Sequence, residues 1–166
     1  AWRIVGPPVG KTMRAIRKEE EIVIEQDTIR LLRECDAGIE MGTSSIDDVL
    51  EATKDKRLRQ ILQHCRDEHT TLKLELEELL LRFQDEGKEP SAIAQGMSRM
   101  KTGVKLAMDE SDATVADLIT DGCNMGVKSL SRYLNQYKAA DKRSKDLAKR
   151  LIHMEEQLAV DVRPYL

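Results

Sequence analysis

The sequence predicts an all-α protein in which four long helices surround one aliphatic core. The composition is 40% hydrophobic and 34% charged but only 3% aromatic, and its common residues are good helix formers. Apolar residues recur at spacings of three, four and seven, as they do along one face of a helix. The short alternating runs of a β-sandwich are missing. At 166 residues the chain is long enough for one domain with its own core.

The first predicted helix begins between Met13 and Lys18 and carries one apolar stripe. The stripe residues are Ile22, Ile29, Leu32, Asp36 and Ile39. The stretch 42–45 interrupts the pattern, because Ser45 followed by Asp48 can cap a new helix start. Either the helix breaks there or it runs on, and we predict one long helix that ends near Thr53.

A second helix follows a tight turn at 54–56 and runs to about Glu86, where Gly87 and Pro90 stop it. Its inner stripe consists of Leu58, Ile61, Leu62, Cys65, His69, Leu72, Leu76, Leu79 and Phe83. Leucines also surround its second half almost completely. This surplus predicts contact with something beyond the core, either a second copy or the connection that follows.

The second half of the chain predicts one short helix and two long ones. The short helix runs from Ser91 to about Met108, and Ser111 or Asp112 caps the next helix. Asp141 caps the last helix, which Pro164 ends. Short turns make neighbouring helices antiparallel, so we predict two hairpins with the short extra helix in the crossover between them.

Two glycines on one face of the third long helix predict a close approach. Gly122 and Gly126 lie four residues apart, and each costs about 1 kcal/mol of helix propensity relative to alanine. The usual compensation is a neighbouring helix or a bulky side chain that needs the space.

Charge, hydropathy and cysteine usage exclude several classes of protein. A net charge of −3 lacks the basic excess typical of nucleic-acid binding. No stretch approaches the roughly 20 apolar residues of a membrane helix. The three cysteines form no C-x-x-C motif, which argues against zinc ribbons and thioredoxins. They indicate buried free thiols in a reducing compartment, so we predict a cytoplasmic protein.

The first twelve residues differ from the rest. Segment 1–12 contains glycines and prolines and predicts an irregular N-terminal arm, or a remnant foreign to the protein, ahead of a bundle domain over 13–166. Its Gly10-Lys11-Thr12 ending resembles part of a phosphate loop. Val5 stands where that motif needs glycine and no strand precedes it, so the sequence does not predict nucleotide binding here.

Polar residues on or beside the inner stripes form the candidate site. Buried carboxylates must be paired, hydrogen-bonded or metal-bound, and acids and imidazoles from four helices build the di-iron sites of bundles. The candidate metal ligands are Asp36, Glu40, Glu68, His69, Asp121, His153 and Glu156. In a sequence this rich in charge, several acids also fall near any stripe by chance. A thiol–imidazole pair, Cys65 with His69 at i, i+4, is a third possibility.

With this layout, the chain resembles the small ferritin-like bundles of unknown function from about Glu20 to Leu166, and loosely some spore-coat proteins. The resemblance rests on Ile29-x-x-Leu32-x-x-x-Asp36-Ala37-Gly38-Ile39-Glu40, on Asp67-Glu68-His69 with Gly87-x-x-Pro90, and on Gly126-Val127-Lys128-Ser129-Leu130-x-x-Tyr133. Metal-binding members carry Glu-x-x-His on one helix of each pair. This sequence has Cys65-x-x-Glu68 and His153-x-x-Glu156 instead, so the resemblance implies a degenerate metal site or none.

These observations predict a non-enzymatic structural or interaction protein that self-associates, with a homodimer favoured and no catalytic residues. A bacterial, cytoplasmic and spore-associated setting is what the resemblance implies. We expect no cofactor. The alternative is a metal-binding protein that holds iron or manganese at the candidate ligands.

Overall fold

A computed structural model describes residues 10–83, 103, 105–106 and 109–166. Within these ranges the chain folds as a bundle of four α-helices with no strand. The helices are α1 (Met13–Leu50), α2 (Lys56–Leu81), α3 (Asp112–Gln136) and α4 (Lys142–Val162), followed by a short 3₁₀ helix (Arg163–Tyr165). The all-α prediction is confirmed. Most of the irregular segment 1–12 and of the short helix expected over 91–108 lies outside the described residues.

Each α-helix begins at a residue whose side-chain oxygen accepts a hydrogen bond from the backbone N–H three residues later. These N-caps are Thr12, Asp55, Ser111 and Asp141. The caps expected at Ser111 and Asp141 are therefore confirmed. An N-cap satisfies one of the backbone donors that a helix start leaves without an intrahelical partner. The local sequence is enough to place these starts.

The helix ends fall earlier than the sequence predicts. Helix α1 runs unbroken through 42–45, but it ends at Leu50 instead of near Thr53. The hydroxyl of Thr53 donates to the carbonyl of Val49 at 2.9 Å and occupies a group that a further turn would use. Helix α2 ends at Leu81 and not near Glu86, and Phe83 N–H closes its last turn by donating to the Leu80 carbonyl.

In cross-section the four helices follow the order α1, α2, α4, α3. Helix α1 contacts the other three, α2 packs on α4, and α3 packs most extensively on α4. Helices α2 and α3 lie diagonally opposite and barely touch. Side chains from both can therefore reach the bundle axis from opposite sides.

The core consists of two apolar clusters separated by a polar layer. One cluster joins Leu31 to Ile39 of α1 with the second half of α2. The other joins Ile46 to Ala52 of α1 with the first half of α2. Between them each helix places one residue at the bundle axis, and these four residues are Gly42, His69, Gly126 and Glu155. The expected single aliphatic core is thus interrupted at mid-height.

Helix α1 is much longer than its neighbours, with 38 residues against 21 in α4. The first buried residue of α1 is Thr28. Its hydroxyl accepts from Asp141 N–H, and Asp27 accepts from Ala139 N–H, so the α3–α4 turn lies at this level. Residues 13–26, here called the α1 extension, therefore run about 21 Å past the turn, at 1.5 Å per residue. No described helix is long and apolar enough to cross a membrane.

Candidate functional site

The centre of the polar layer is a buried pair between His69 of α2 and Glu155 of α4. The imidazole Nε2 lies 2.8 Å from Glu155 Oε1, and Nδ1 lies 2.7 Å from the backbone carbonyl oxygen of Cys65. A carbonyl and a carboxylate only accept, so both ring nitrogens donate when the ring is an imidazolium. Burial alone would lower the pKa of His69, but its hydrogen bonds to Cys65 and Glu155 outweigh burial and raise the pKa to about 10. The direction of this shift and the two acceptors favour the imidazolium form of His69 in the interior.

Two glycines leave the space that this pair fills. A Cβ atom on Gly42 of α1 would lie 2.9 Å from His69 Nε2 and 3.4 Å from Glu155 Oε1. A Cβ on Gly126 of α3 would contact the Glu155 carboxyl group at 3.6 Å. The close approach expected at Gly126 is confirmed, whereas Gly122 faces open space and the expectation there is wrong. All four helices thus contribute to the layer.

Two of the three cysteines border the pair. Cys65 Sγ lies 3.5 Å from His69 Nδ1. Burial and then the charge and hydrogen bonding of Glu155 raise the pKa of the Cys123 thiol. Cys35 lies apart in the first apolar cluster, where burial and the nearby Glu34 and Asp36 raise the pKa of its thiol to about 12. All three are free and buried, as the sequence predicts.

An open groove between α2 and α4 leads toward this layer. Its volume is about 330 Å³, and Cys65 is part of its wall. Charged and polar side chains, among them Arg57, His64 and Glu68, line the outer part. The groove therefore extends from solvent to Cys65, at the edge of the polar layer.

Of the seven candidate metal ligands, only His69 lies in the polar layer. Asp36 is buried on α1, and half-buried Glu40 pairs with Lys73 of α2. The other four are exposed, and they are Glu68, Asp121, His153 and Glu156. Glu68 lies 3.4 Å from His64, and Asp121 lies 3.8 Å from Lys105.

The described residues do not bring these candidates together. In the part of the chain that the structure describes, no group of three or more His, Cys, Asp or Glu side chains is placed to hold a metal ion. Asp36, Glu68 and Asp121 are also expected on or beside the inner stripes. This assignment is wrong for Glu68 and Asp121, because each points to solvent on its helix.

Glu155, the partner of His69, is not among the candidates predicted from the sequence. Glu156 is, but it lies about 100° further around the helix and is exposed. The signal that identifies Glu155 is its spacing from buried Leu151 and Leu158, four residues before it and three after it. The helix face that carries Leu151 and Leu158 therefore also carries Glu155.

The layer and the α1 extension are the two unusual features of this bundle. A scan against protein-family models, a search of curated proteins and a search of solved structures each return no match. The resemblance to ferritin-like bundles stays a prediction. Any function must follow from the side chains that this chain itself presents.

Proposed function

We propose that the chain is a non-enzymatic structural or interaction protein that self-associates as a homodimer. Its bundle is the ferritin-like antiparallel arrangement of two hairpins, with a short helix in the crossover. The α1 extension carries the proposal, because it presents Ile22, Val23 and Ile24 to solvent past the end of the bundle.

A helical segment of this kind gains stability from a partner. The extension has no buried residue, so it receives little from the core. Isolated helices shorter than about 12–15 residues are marginal in water, and most helix stability in proteins comes from packing an apolar face. Met13, Ile16, Val23 and Ile24 lie on one side of the extension by their spacing. A partner helix on that side would bury all four.

The charges along the extension favour a second copy in antiparallel orientation. Its first part is basic and its second part acidic: Arg14, Arg17 and Lys18 precede Glu19, Glu20, Glu21 and Glu25. A two-fold axis across the middle places the basic part of each copy against the acidic part of the other. A parallel pair would place like charges together. The charges of two antiparallel copies of the extension are therefore complementary.

The polar layer supports a role without catalysis. His69 commits both ring nitrogens to Cys65 and Glu155, so it has no free nitrogen to accept a proton from a substrate. The iron or manganese alternative has no assembled ligand set within the described ranges. Three free thiols suit the reducing cytoplasm.

Light scattering coupled to size-exclusion chromatography tests the proposal. We expect the wild-type chain to elute at twice the chain mass at high concentration. The Val23→Glu/Ile24→Glu variant should elute as a monomer, because two charges would enter the shared apolar face. The matched control is Leu74→Glu, which charges an even more exposed apolar residue on α2 and should leave the dimer intact.

Three outcomes would contradict the proposal. A wild-type chain that is monomeric at every concentration removes self-association. A dimer that survives Val23→Glu/Ile24→Glu but not Leu74→Glu moves the contact to α2. A monomeric wild type whose melting temperature falls with Val23→Glu/Ile24→Glu shows that the extension packs on its own chain.

A further inference from the structure

Cys65 lies where the solvent-filled groove meets the buried imidazolium. Its side chain forms part of the groove wall, yet the residue is only 5% exposed. On its inner side, Sγ lies 3.5 Å from His69 Nδ1. Cys65 therefore borders the groove on one side and the imidazole of His69 on the other.

This combination distinguishes Cys65 from the other two cysteines. A neighbouring cation stabilises the thiolate, which is the nucleophilic form of cysteine, whereas apolar or anionic surroundings oppose it. Cys35 is fully buried among leucines and next to two acids, and Cys123 faces the carboxylate of Glu155. Neither lines the groove. Of the three thiols, Cys65 is thus the one that lies beside both the groove and the imidazole.

We propose that Cys65 is a modification site for a small uncharged oxidant, of which hydrogen peroxide is the simplest member. The carboxylate of Glu155 keeps the imidazolium in place through its 2.8 Å contact with Nε2. The narrow access at 5% exposure excludes bulky thiols and proteins. A peroxide is smaller than any of these and fits a groove of about 330 Å³.

The chemistry is a two-electron oxidation of sulfur. The Cys65 thiolate attacks one peroxide oxygen, so that an S–O bond forms as the O–O bond breaks. Sulfur is oxidised by two electrons, and the peroxide is reduced to water. The proton lost by the thiol protonates the departing hydroxide, which leaves a sulfenic acid and one water. The new oxygen then lies beside His69 Nδ1–H. There it competes with the Cys65 carbonyl oxygen as the acceptor of that hydrogen bond.

The test is a comparison of the three thiols within one folded protein. Wild-type chain is oxidised with dilute hydrogen peroxide, either in buffer or in urea, and the peroxide is removed. Dimedone is then added to both samples in urea, so that its size does not limit labelling, and labelled peptides are quantified by mass spectrometry. We expect native Cys65 to be labelled roughly tenfold faster than Cys35 or Cys123. In urea the three rates should converge, because the unfolded chain has no groove and no fixed imidazolium.

Two variants distinguish the effect of the imidazolium on the labelling rate of Cys65 from the effect of its accessibility. His69→Gln should slow Cys65 labelling by roughly tenfold, while His64→Gln, which changes an exposed histidine of the same groove, should leave the rate almost unchanged. If His69→Gln fails to fold, the wild-type ranking decides alone. Labelling of native Cys65 no faster than that of Cys35 and Cys123 overturns the proposal. Equal labelling in wild type and His69→Gln removes the role of the imidazolium.

Discussion

The interior and the surface of the bundle each connect α2 to α4 by one ion pair at nearly the same distance. His69 and Glu155 lie 2.8 Å apart with side chains 1% and 10% exposed. Glu75 and Arg150 lie 2.7 Å apart with side chains 33% and 55% exposed. Water solvates either surface charge without its partner, but the interior charges have little contact with water. Burial, and not the distance between the charges, therefore determines how much the stability of the fold depends on each pair.

The largest effect should come from removing one interior charge. Glu155→Met leaves the imidazole of His69 buried without its acceptor, and we expect a loss of about 3–5 kcal/mol in the free energy of unfolding. The matched control is Glu156→Met, one residue further along α4 and exposed. It should change stability by less than about 0.5 kcal/mol. Urea unfolding followed by circular dichroism measures both.

A double variant distinguishes the cost of a buried His69 without its partner from the loss of the His69–Glu155 interaction itself. Replacing both residues of a buried pair by apolar side chains of similar volume is often neutral. His69→Leu/Glu155→Met should therefore be more stable than Glu155→Met alone. A double variant less stable than both single variants would show that the layer contributes net stability beyond satisfying its own charges.

The next effect concerns the glycines that accommodate the pair. Gly42→Ala places a methyl group 2.9 Å from His69 Nε2, and two hydrogen bonds hold that ring in place. We expect a loss of about 1–2 kcal/mol from overpacking, after a partial gain in helix propensity. Gly122→Ala is the control, because its methyl group meets no atom within 4 Å. It should stabilise the chain by about 0.5–1 kcal/mol.

Thermal unfolding of the two variants gives opposite shifts if this account is right. Equal stabilisation by both alanines would mean that the His69 ring moves aside at little cost. The layer would then be a loose contact and not a fitted one.

The parts of this fold that local sequence determines were predictable. Ser111 and Asp141 were expected as caps, and each caps its helix because its own side chain reaches a backbone donor three residues away. The polar layer was predictable in kind, since a buried His69 requires a partner. The residues of the layer were not predictable, because neighbouring positions on a helix point about 100° apart. Glu155 therefore lies in the layer, whereas Glu156 lies at the surface. Gly42 was missed since its role depends on a ring from another helix.

The smallest effect should come from the surface pair. Glu75→Gln removes one charge of an exposed pair, and we expect a loss of about 0–1 kcal/mol. Because salt screens exposed charges, the loss should shrink further at high ionic strength, whereas the loss from Glu155→Met should persist. Urea unfolding at low and high salt measures both differences. A Glu75→Gln loss as large as that of Glu155→Met would show that distance, and not burial, determines the weight of an ion pair between α2 and α4.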